Sequence, residues 1–339
     1  MIEKYTSLFR RDLSDFSECC FTSANLAYLS RARVLARTFK KKNPGIAFIL
    51  ILVDVLPDGY RLDSQEEPFD DVIEVREIGI SDFAAWSFKH NVVELCTAVK
   101  ASAALHLSRF FSKVIYLDPD IAVFSSLDTL VELLDRREIL LTPHQLTPCE
   151  AHDLPIKDIE LCSLRHGIFN LGFFAISSKN QGIEFLEWWQ SRLLKYCYED
   201  IPSGIFTDQK WCDVVPAYFS SSLVVRDFGC NVASWNLYER SIRFIDGNLV
   251  VNNDFPLRFY HFTKYGGAGE IMTLRYARTL ETLEVWAWYG RYLRECEFNP
   301  PPKAYWHYGT YSDGTPIDDE SRVEFRSKYF PGCANPYLK

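Results

Sequence analysis

No stretch of this 339-residue chain is apolar for long enough to cross a bilayer as a helix. The longest run, Ile46 to Leu56, is short and is interrupted by Asp54. The opening MIEKYTSLFRRDLSDF has no apolar core of a secretion signal, which predicts a cytoplasmic chain. CxxC pairs and zinc-ligand spacings are absent, so the ten cysteines (Cys19, Cys20, Cys96, Cys149, Cys162, Cys197, Cys212, Cys230, Cys296, Cys333) read as reduced thiols used in packing. Positive charge is scarce. The 37 Lys and Arg against 45 Asp and Glu leave a net charge of −8, too acidic for the broad basic field of non-specific nucleic-acid binding, so no nucleic-acid partner is expected. An anionic ligand would have to be small and held by a local cationic pocket. The chain also lacks GxSxG, Walker, GxGxxG and HExxH patterns, internal repeats and low-complexity tracts.

What is present is enough apolar material for a large core, 47% hydrophobic and 15% aromatic residues. Strand and helix patterns alternate, which predicts an α/β domain with a largely parallel sheet covered on both faces. CCFTSA (19–24) reads as a first strand, 28–42 as a helix stopped by Asn43, Pro44 and Gly45, and AFILILVD (47–54) as a second strand. A helix over 92–109 leads into the strand KVIYL. A helix over 127–136, a strand over 138–142, an irregular section over 143–167, the strand FNLGFFAIS and a helix over 182–198 follow. After about residue 270 the pattern changes to one helix (279–296) and a Pro-, Gly- and aromatic-rich tail. The expected organisation is therefore a binding and catalytic domain over 1–270 and a C-terminal extension over 271–339 packed on it.

The segment VIYLDPDIAVF (114–124) carries the chemistry. Asp118 and Asp120 stand two residues apart at the carboxyl end of a buried strand, where open α/β sheets bind ligands. Hard carboxylate oxygens suit Mg²⁺ or Mn²⁺, and such a cation neutralises a diphosphate and its leaving group. Pro119 stiffens the turn between them. Taken alone, an Asp-x-Asp triplet is also a common solvated turn.

YLDPDIAVF resembles the DxD segment of A-fold nucleotide-sugar glycosyltransferases. FNLGFFAI (169–176), TDQ (207–209) and FYHFTKY (259–265) occur in the same order as in the retaining family that includes glycogenin and the bacterial lipopolysaccharide galactosyltransferases. These blocks span most of residues 18–265. The resemblance implies a single Rossmann-like domain with a mostly parallel mixed central sheet, and a metal-dependent hexosyltransferase of the polysaccharide-biosynthesis kind. It would move a sugar from a nucleoside diphosphate sugar to a hydroxyl on a glycan, a lipid-linked glycan or a protein, with retention at the anomeric carbon. His261 becomes the third metal ligand, which favours Mn²⁺ over Mg²⁺, though a lone His among aromatics is also an ordinary packed side chain. The Lys-Pro-Trp ending of the family's late motif is missing after Lys264.

The same resemblance implies that Asp208 and Gln209 work near the anomeric carbon, where they might otherwise only cap a helix. Asn170 would bond the donor sugar and Gly172 would keep its space clear. Lys100 and Lys264 would offset phosphate charge. The base and ribose would lie against Thr22, Ser23, Ala24, Asn25, Tyr28 and Arg33, with Asp54 at the end of the second strand. His144, Gln145, Trp235 and Asn236, with Asn231 nearby, are candidate acceptor contacts, and WHYGTYSDG (306–314) a candidate lid or acceptor platform. An inverting transferase would need an acceptor-side base such as Glu150, Asp153 or Asp158. A sugar nucleotidyltransferase would need a Gly-rich first loop, which CCFTSANLAYL is not. A non-catalytic glycan-binding protein would not need its metal ligands. Peripheral membrane association is a further expectation.

Overall fold

The computed structural model describes residues 6–150, 153–330 and 332–339. Its frame is a seven-stranded sheet built from β1 (Glu18–Ala24), β2 (Ala47–Leu52), β3 (Asp71–Glu74), β4 (Lys113–Leu117), β6 (Ile139–Pro143), β7 (Phe169–Ser177) and β8 (Ser222–Val224) in the order β8-β6-β7-β4-β1-β2-β3. Every neighbouring pair is parallel except the two made by β7, which runs antiparallel to β4 and β6. This is the expected α/β class with a mostly parallel mixed sheet. All six residues of β2 and all nine of β7 are buried, because a sheet covered on both faces needs continuous apolar strands rather than alternation. Each Phe or Leu removed from water there stabilises the fold by ~1.5–3 kcal/mol.

The helix Leu29–Lys42 covers one face. Leu29, Ala32, Leu35, Ala36 and Phe39 are buried at helical spacing, and Lys40, Lys41 and Lys42 fill its last turn, where cations suit the helix dipole. The Asn43 side chain ends it, donating to the Phe39 carbonyl at 3.1 Å and accepting from the Leu127 amide at 2.8 Å.

Four sequence expectations need correction. The helix expected over 92–109 is two helices, Val92–Ala98 and Lys100–Leu107, because the Val99 amide turns to the Thr97 carbonyl. The stretch expected to be irregular over 143–167 contains a helical run from Asp153 through a π turn (Ile156–Glu160) to His166. Leu154, Leu161 and Leu164 face outward and Ile159 is the buried residue, so the inward periodicity that signals a surface helix is missing. The tail holds an unexpected helix, Asp319–Lys328, in which Arg322 is the buried residue. Its polar sequence carries no apolar stripe. The edge strand β8 is three residues long and half-buried, too short to stand out as a pattern.

A second, three-stranded sheet places the site. It consists of β5 (Ile121–Val123), β9 (Val232–Ala233) and β10 (Phe259–His261), with β10 in the middle. Residues after 270 share cores with what precedes them. Val285, Trp286 and Tyr289 of the helix Leu280–Glu295 pack with Val34, Tyr260 and Phe262, and the Phe262 and Tyr289 rings stack with centroids 3.8 Å apart. Tyr308 joins the core beneath the central sheet. Among the described residues, no helix is long and apolar enough to cross a membrane.

Candidate metal and donor site

β4 ends at Leu117, and Asp118 follows with its amide on the Gly172 carbonyl of the antiparallel β7 at 2.9 Å. The chain turns back through an Ile121 amide to Asp118 carbonyl bond of 3.1 Å and enters β5. β5 pairs with β10 so that Ile121 faces His261, and the Phe262 amide reaches the Asp120 carbonyl at 2.8 Å. Three side chains from distant parts of the sequence are thereby brought to one point. The His261 Nε2 lies 3.0 Å from Asp120 Oδ1 and 3.7 Å from Asp118 Oδ2. One ligand atom from each of Asp118, Asp120 and His261 falls within 4.8 Å of the other two. Burial alone would raise the Asp120 pKa, but the facing imidazole outweighs it and holds the carboxyl below its usual value. Burial works to lower the pKa of His261, yet Asp120 and then Asp118 lift it above the usual imidazole value. Two carboxylates and an imidazole on one spot are chemically suited to a divalent cation with mixed oxygen and nitrogen preference.

Gly172 has a steric job. A Cβ there would lie 2.6 Å from the His261 ring and 2.7 Å from Asn170 Oδ1, so the glycine makes room for that histidine.

Lys100 is buried, and its ammonium has three protein partners: Asp118 Oδ1 at 3.1 Å, Asp208 Oδ2 at 2.9 Å and the Leu171 carbonyl at 3.0 Å. It lies 4.5 Å from the centre of the Tyr116 ring, whose hydroxyl donates to Asp118 Oδ1 at 2.6 Å. Desolvation works against its charge, but Asp118 and Asp208 outweigh it and raise its pKa. Lys100 is the clamp between the metal side and Asp208.

Asp208 is buried, and burial raises its pKa while Lys100 partly offsets the rise. Thr207, at a φ of +45°, donates to its second oxygen at 3.1 Å. Gln209 is held by its Oε1, which accepts from Asn170 Nδ2 at 3.3 Å and the Leu171 amide at 3.4 Å, and by its Nε2, which donates to the His166 carbonyl at 3.0 Å. Asn170 Oδ1 accepts from the Gly172 amide at 3.1 Å and Asn231 Nδ2 at 3.0 Å, and Asn231 also donates to Thr142 at 3.0 Å. Asn170 is thus engaged through both ends of its amide.

The expected base and ribose contacts are mostly inside the fold. Thr22, Ser23, Ala24 and Asn25 are buried, and the Ser23 hydroxyl is engaged with the Cys96 carbonyl at 2.8 Å and the Tyr116 hydroxyl at 3.1 Å. Asp54 is fully buried, and its carboxylate accepts from the backbone amides of Leu26 at 3.2 Å, Val55 at 3.1 Å and His307 at 2.9 Å. Burial pushes its pKa up to about 6 against the pull of those three bonds. Arg33 is buried in an ion pair with Glu67 and donates to the carbonyls of Cys296 and Phe298, so it pins the C-terminal region rather than a ligand. Arg31 was not singled out in the sequence. Its guanidinium sits 4.3 Å from the Tyr28 ring centre and lowers the Asp120 pKa. The available signal was spacing: residues three apart share a helix face, so Arg31 goes with exposed Tyr28, while Arg33 falls on another face.

The acceptor-side candidates form a brace around the histidines. The Trp235 ring lies edge-on to His261 (5.1 Å) and His144 (5.4 Å). Burial pushes the His144 pKa down to about 4, so it is neutral at pH 7, with Nδ1 3.3 Å from the Ile168 carbonyl and Nε2 3.4 Å from Asn170 Nδ2. Asn236 donates to the carbonyls of His144 (3.1 Å) and Asn231 (3.0 Å), and Gln145 donates to the Thr147 carbonyl at 2.8 Å. Asp158 accepts from Arg275 at 2.7 Å and Tyr276 at 2.9 Å. Glu150 is exposed, and the Asp153 side chain lies outside the described residues. Lys264 is exposed on a turn at φ +49°. The segment 306–309 sits against Asp54 at the end of β2, not beside His144 and Trp235. A surface groove of about 600 Å³ between Thr129, Arg136, Val224 and Arg258 includes none of these site residues.

No family model matches the chain. The protein YfnF of Bacillus subtilis (strain 168), whose function is uncharacterized, is 26% identical over 182 residues, 51% of this chain and 57% of that one. The match thus spans little more than half the length of this relative. Among solved structures, the galactosyltransferase LgtC in complex with donor and acceptor sugar analogs aligns with a TM-score of 0.47 at 15% identity, covering 82% of this chain and 95% of that one. The glycosyltransferase GlyE of Streptococcus pneumoniae TIGR4 aligns with a TM-score of 0.47 at 16% identity, covering 86% of this chain and 66% of that one. At these values the likeness by itself assigns no activity.

Proposed function

We propose that the chain is a glycosyltransferase that moves a sugar from a nucleoside diphosphate sugar to a hydroxyl acceptor with the help of Mn²⁺ or Mg²⁺, with retention at the anomeric carbon. The observation that carries this is the convergence of Asp118, Asp120 and His261 within 4.8 Å of one another at the carboxyl end of the central sheet, joined through one lysine to Asp208. Asp118, Asp120 and His261 Nε2 would hold the cation, which when bound supplies positive charge to a diphosphate and its leaving group. Arg31 and Tyr28 offer a cation and an aromatic face at the adjoining rim. Gln209, oriented by Asn170 and His166, and Asp208 supply fixed dipole and charge beneath the donor sugar.

Asp208 is held by Lys100 and Thr207, which makes it a better electrostatic partner for developing positive charge than a free nucleophile. The reading therefore favours a same-face route over a covalent intermediate. Of the acceptor-side bases an inverting reaction would need, Asp158 is already engaged by Arg275 and Tyr276. All ten cysteines are free, in keeping with a cytoplasmic location.

The test is thermal shift with a panel of nucleoside diphosphates with and without Mn²⁺, in the wild type and in Asp120→Ala, followed by donor hydrolysis across sugar nucleotides and NMR of the product anomer. Stabilisation that needs both metal and nucleotide and vanishes in the variant is expected. A wild type that responds to no nucleotide in a metal-dependent way sinks the proposal, and an inverted anomer sinks its stereochemistry.

A further inference from the structure

The helical run from Asp153 to His166 turns its apolar side outward. Leu154, Leu161, Leu164 and the following Ile168 are exposed, Leu164 at 63%, and Lys157 and Arg165 are exposed among them at helical spacing. A second helix, Ala268–Tyr276, does the same with Ile271 and Leu274, the latter 66% exposed, and is followed by exposed Arg278. Asp158 ties the two helices by accepting from Arg275 and Tyr276 of the second. Both adjoin the candidate site. His166 accepts from Gln209, and Ala268 follows His261 by one short turn.

Soluble surfaces rarely gather six large aliphatic side chains on two neighbouring helices without a use. The charge around them is one-sided. Arg165, Lys264 and Arg278 are exposed, whereas Asp158 and Arg275 answer each other and Glu160 is held by the Cys149 amide; among the described residues of these segments, Glu270 is the exposed acid. In a chain of net charge −8, a patch that pairs aliphatic tips with cations matches an anionic bilayer, whose headgroups attract the cations while the aliphatic side chains enter the boundary. We infer that this two-helix face docks the protein on an anionic membrane surface, with the candidate site opening beside the lipid headgroups. The inference goes beyond the proposed activity and needs neither metal nor donor.

Co-sedimentation separates the outcomes, using vesicles of phosphatidylcholine alone and of phosphatidylcholine with phosphatidylglycerol. The wild type should pellet with the anionic vesicles and stay in solution with the neutral ones. Leu161→Asp combined with Leu164→Asp should weaken binding roughly ten-fold or more. Arg165→Glu with Arg278→Glu should remove the preference for anionic lipid. Phe244→Asp, at an exposed position on the hairpin strand Ile242–Ile245, should leave binding unchanged, and all variants should keep the wild-type melting temperature. A wild type that ignores anionic vesicles, or a leucine pair variant that binds as well as wild type, overturns the inference. If sedimentation velocity shows a dimer that the leucine pair variant dissociates, the face belongs to a second copy and the membrane inference fails. None of these readouts depends on nucleotide binding, so its failure is distinct from a failure of the proposed activity.

Discussion

The site has two halves built from different chemistry. On the candidate metal side, Asp118, Asp120, His261, Lys100 and Asp208 are charged or chargeable groups packed into mutual contact. On the other, Thr142, Asn231, Asn170, Gln209 and Asn236 are joined by neutral hydrogen bonds. The charged half is costly to desolvate and depends on every partner being present. The amide half has modest net value per bond, but it fixes geometry because each amide has a defined donor end and acceptor end. One half supplies the potential a phosphorylated ligand would respond to, and the other keeps Gln209 and the histidines in place.

Removing single partners should expose that contrast. Lys100→Met leaves Asp118 and Asp208 facing each other without their shared cation and is expected to cost about 3–5 kcal/mol in urea denaturation. A loss comparable to a surface substitution would show that the charged half is not interdependent. Asp54 supplies a charged reference outside both halves. Its folded pKa, about 6 against an ordinary 3.8, means the native state holds its proton more tightly than the unfolded chain. Its stability contribution is therefore full below the ordinary value and is lost as pH rises through 6, by about 3 kcal/mol. Comparison of wild type with Asp54→Asn in denaturant at pH 4 and pH 7 should show the wild type losing ground by that order. A difference independent of pH would mean Asp54 is not raised.

Smaller effects follow on the ligand side. At saturating Mn²⁺ and nucleoside diphosphate, roughly a hundred-fold above Kd, binding should add about 2.7 kcal/mol of stability. Gly172→Ala should abolish most of that gain, because its Cβ meets the His261 ring. An unaltered gain would mean His261 plays no part in holding the metal. On the amide side, Asn231→Ala should cost about 1–3 kcal/mol and, by loosening Asn170, lower turnover more than it raises KM for the donor. Equal effects on both halves would erase the distinction between them.

The sequence showed the charged half more clearly than the amide half. Asp118 and Asp120 follow a strand that any apolar-run reading finds, and His261 stands in a distinctive aromatic block. What it hid was direction. Lys100 looked like a ligand contact because a cation near a diphosphate is sensible, but its burial and its three partners depend on Asp118, on Asp208, 108 positions away in the sequence, and on Leu171. Thr22, Ser23 and Ala24 lie in the strand that the sequence predicts over 19–24, but their burial depends on the sheet and helices packed around them. Helix geometry separated Arg31 from Arg33, and that information was present in the spacing alone. Packing across the sheet was not. The outward-facing leucines of 154–164 were misread as loop for the related reason that pattern reading assumes apolar residues point inward.

The amide of His307 reaching Asp54 has a consequence for how the protein is made. A ribosome releases β1 and β2 long before residues 306–322 exist, and until then the carboxylate of Asp54 lacks one of its three donors. The same late segment brings Arg322, whose guanidinium donates to the carbonyls of Phe88, His90 and Tyr308 at 3.0, 2.7 and 2.7 Å. The N-terminal half of the sheet therefore stays incompletely tied until residues 306–322 have been made. A nascent chain stalled before residue 306 should stay protease-sensitive around Asp54 and gain resistance only when the tail emerges.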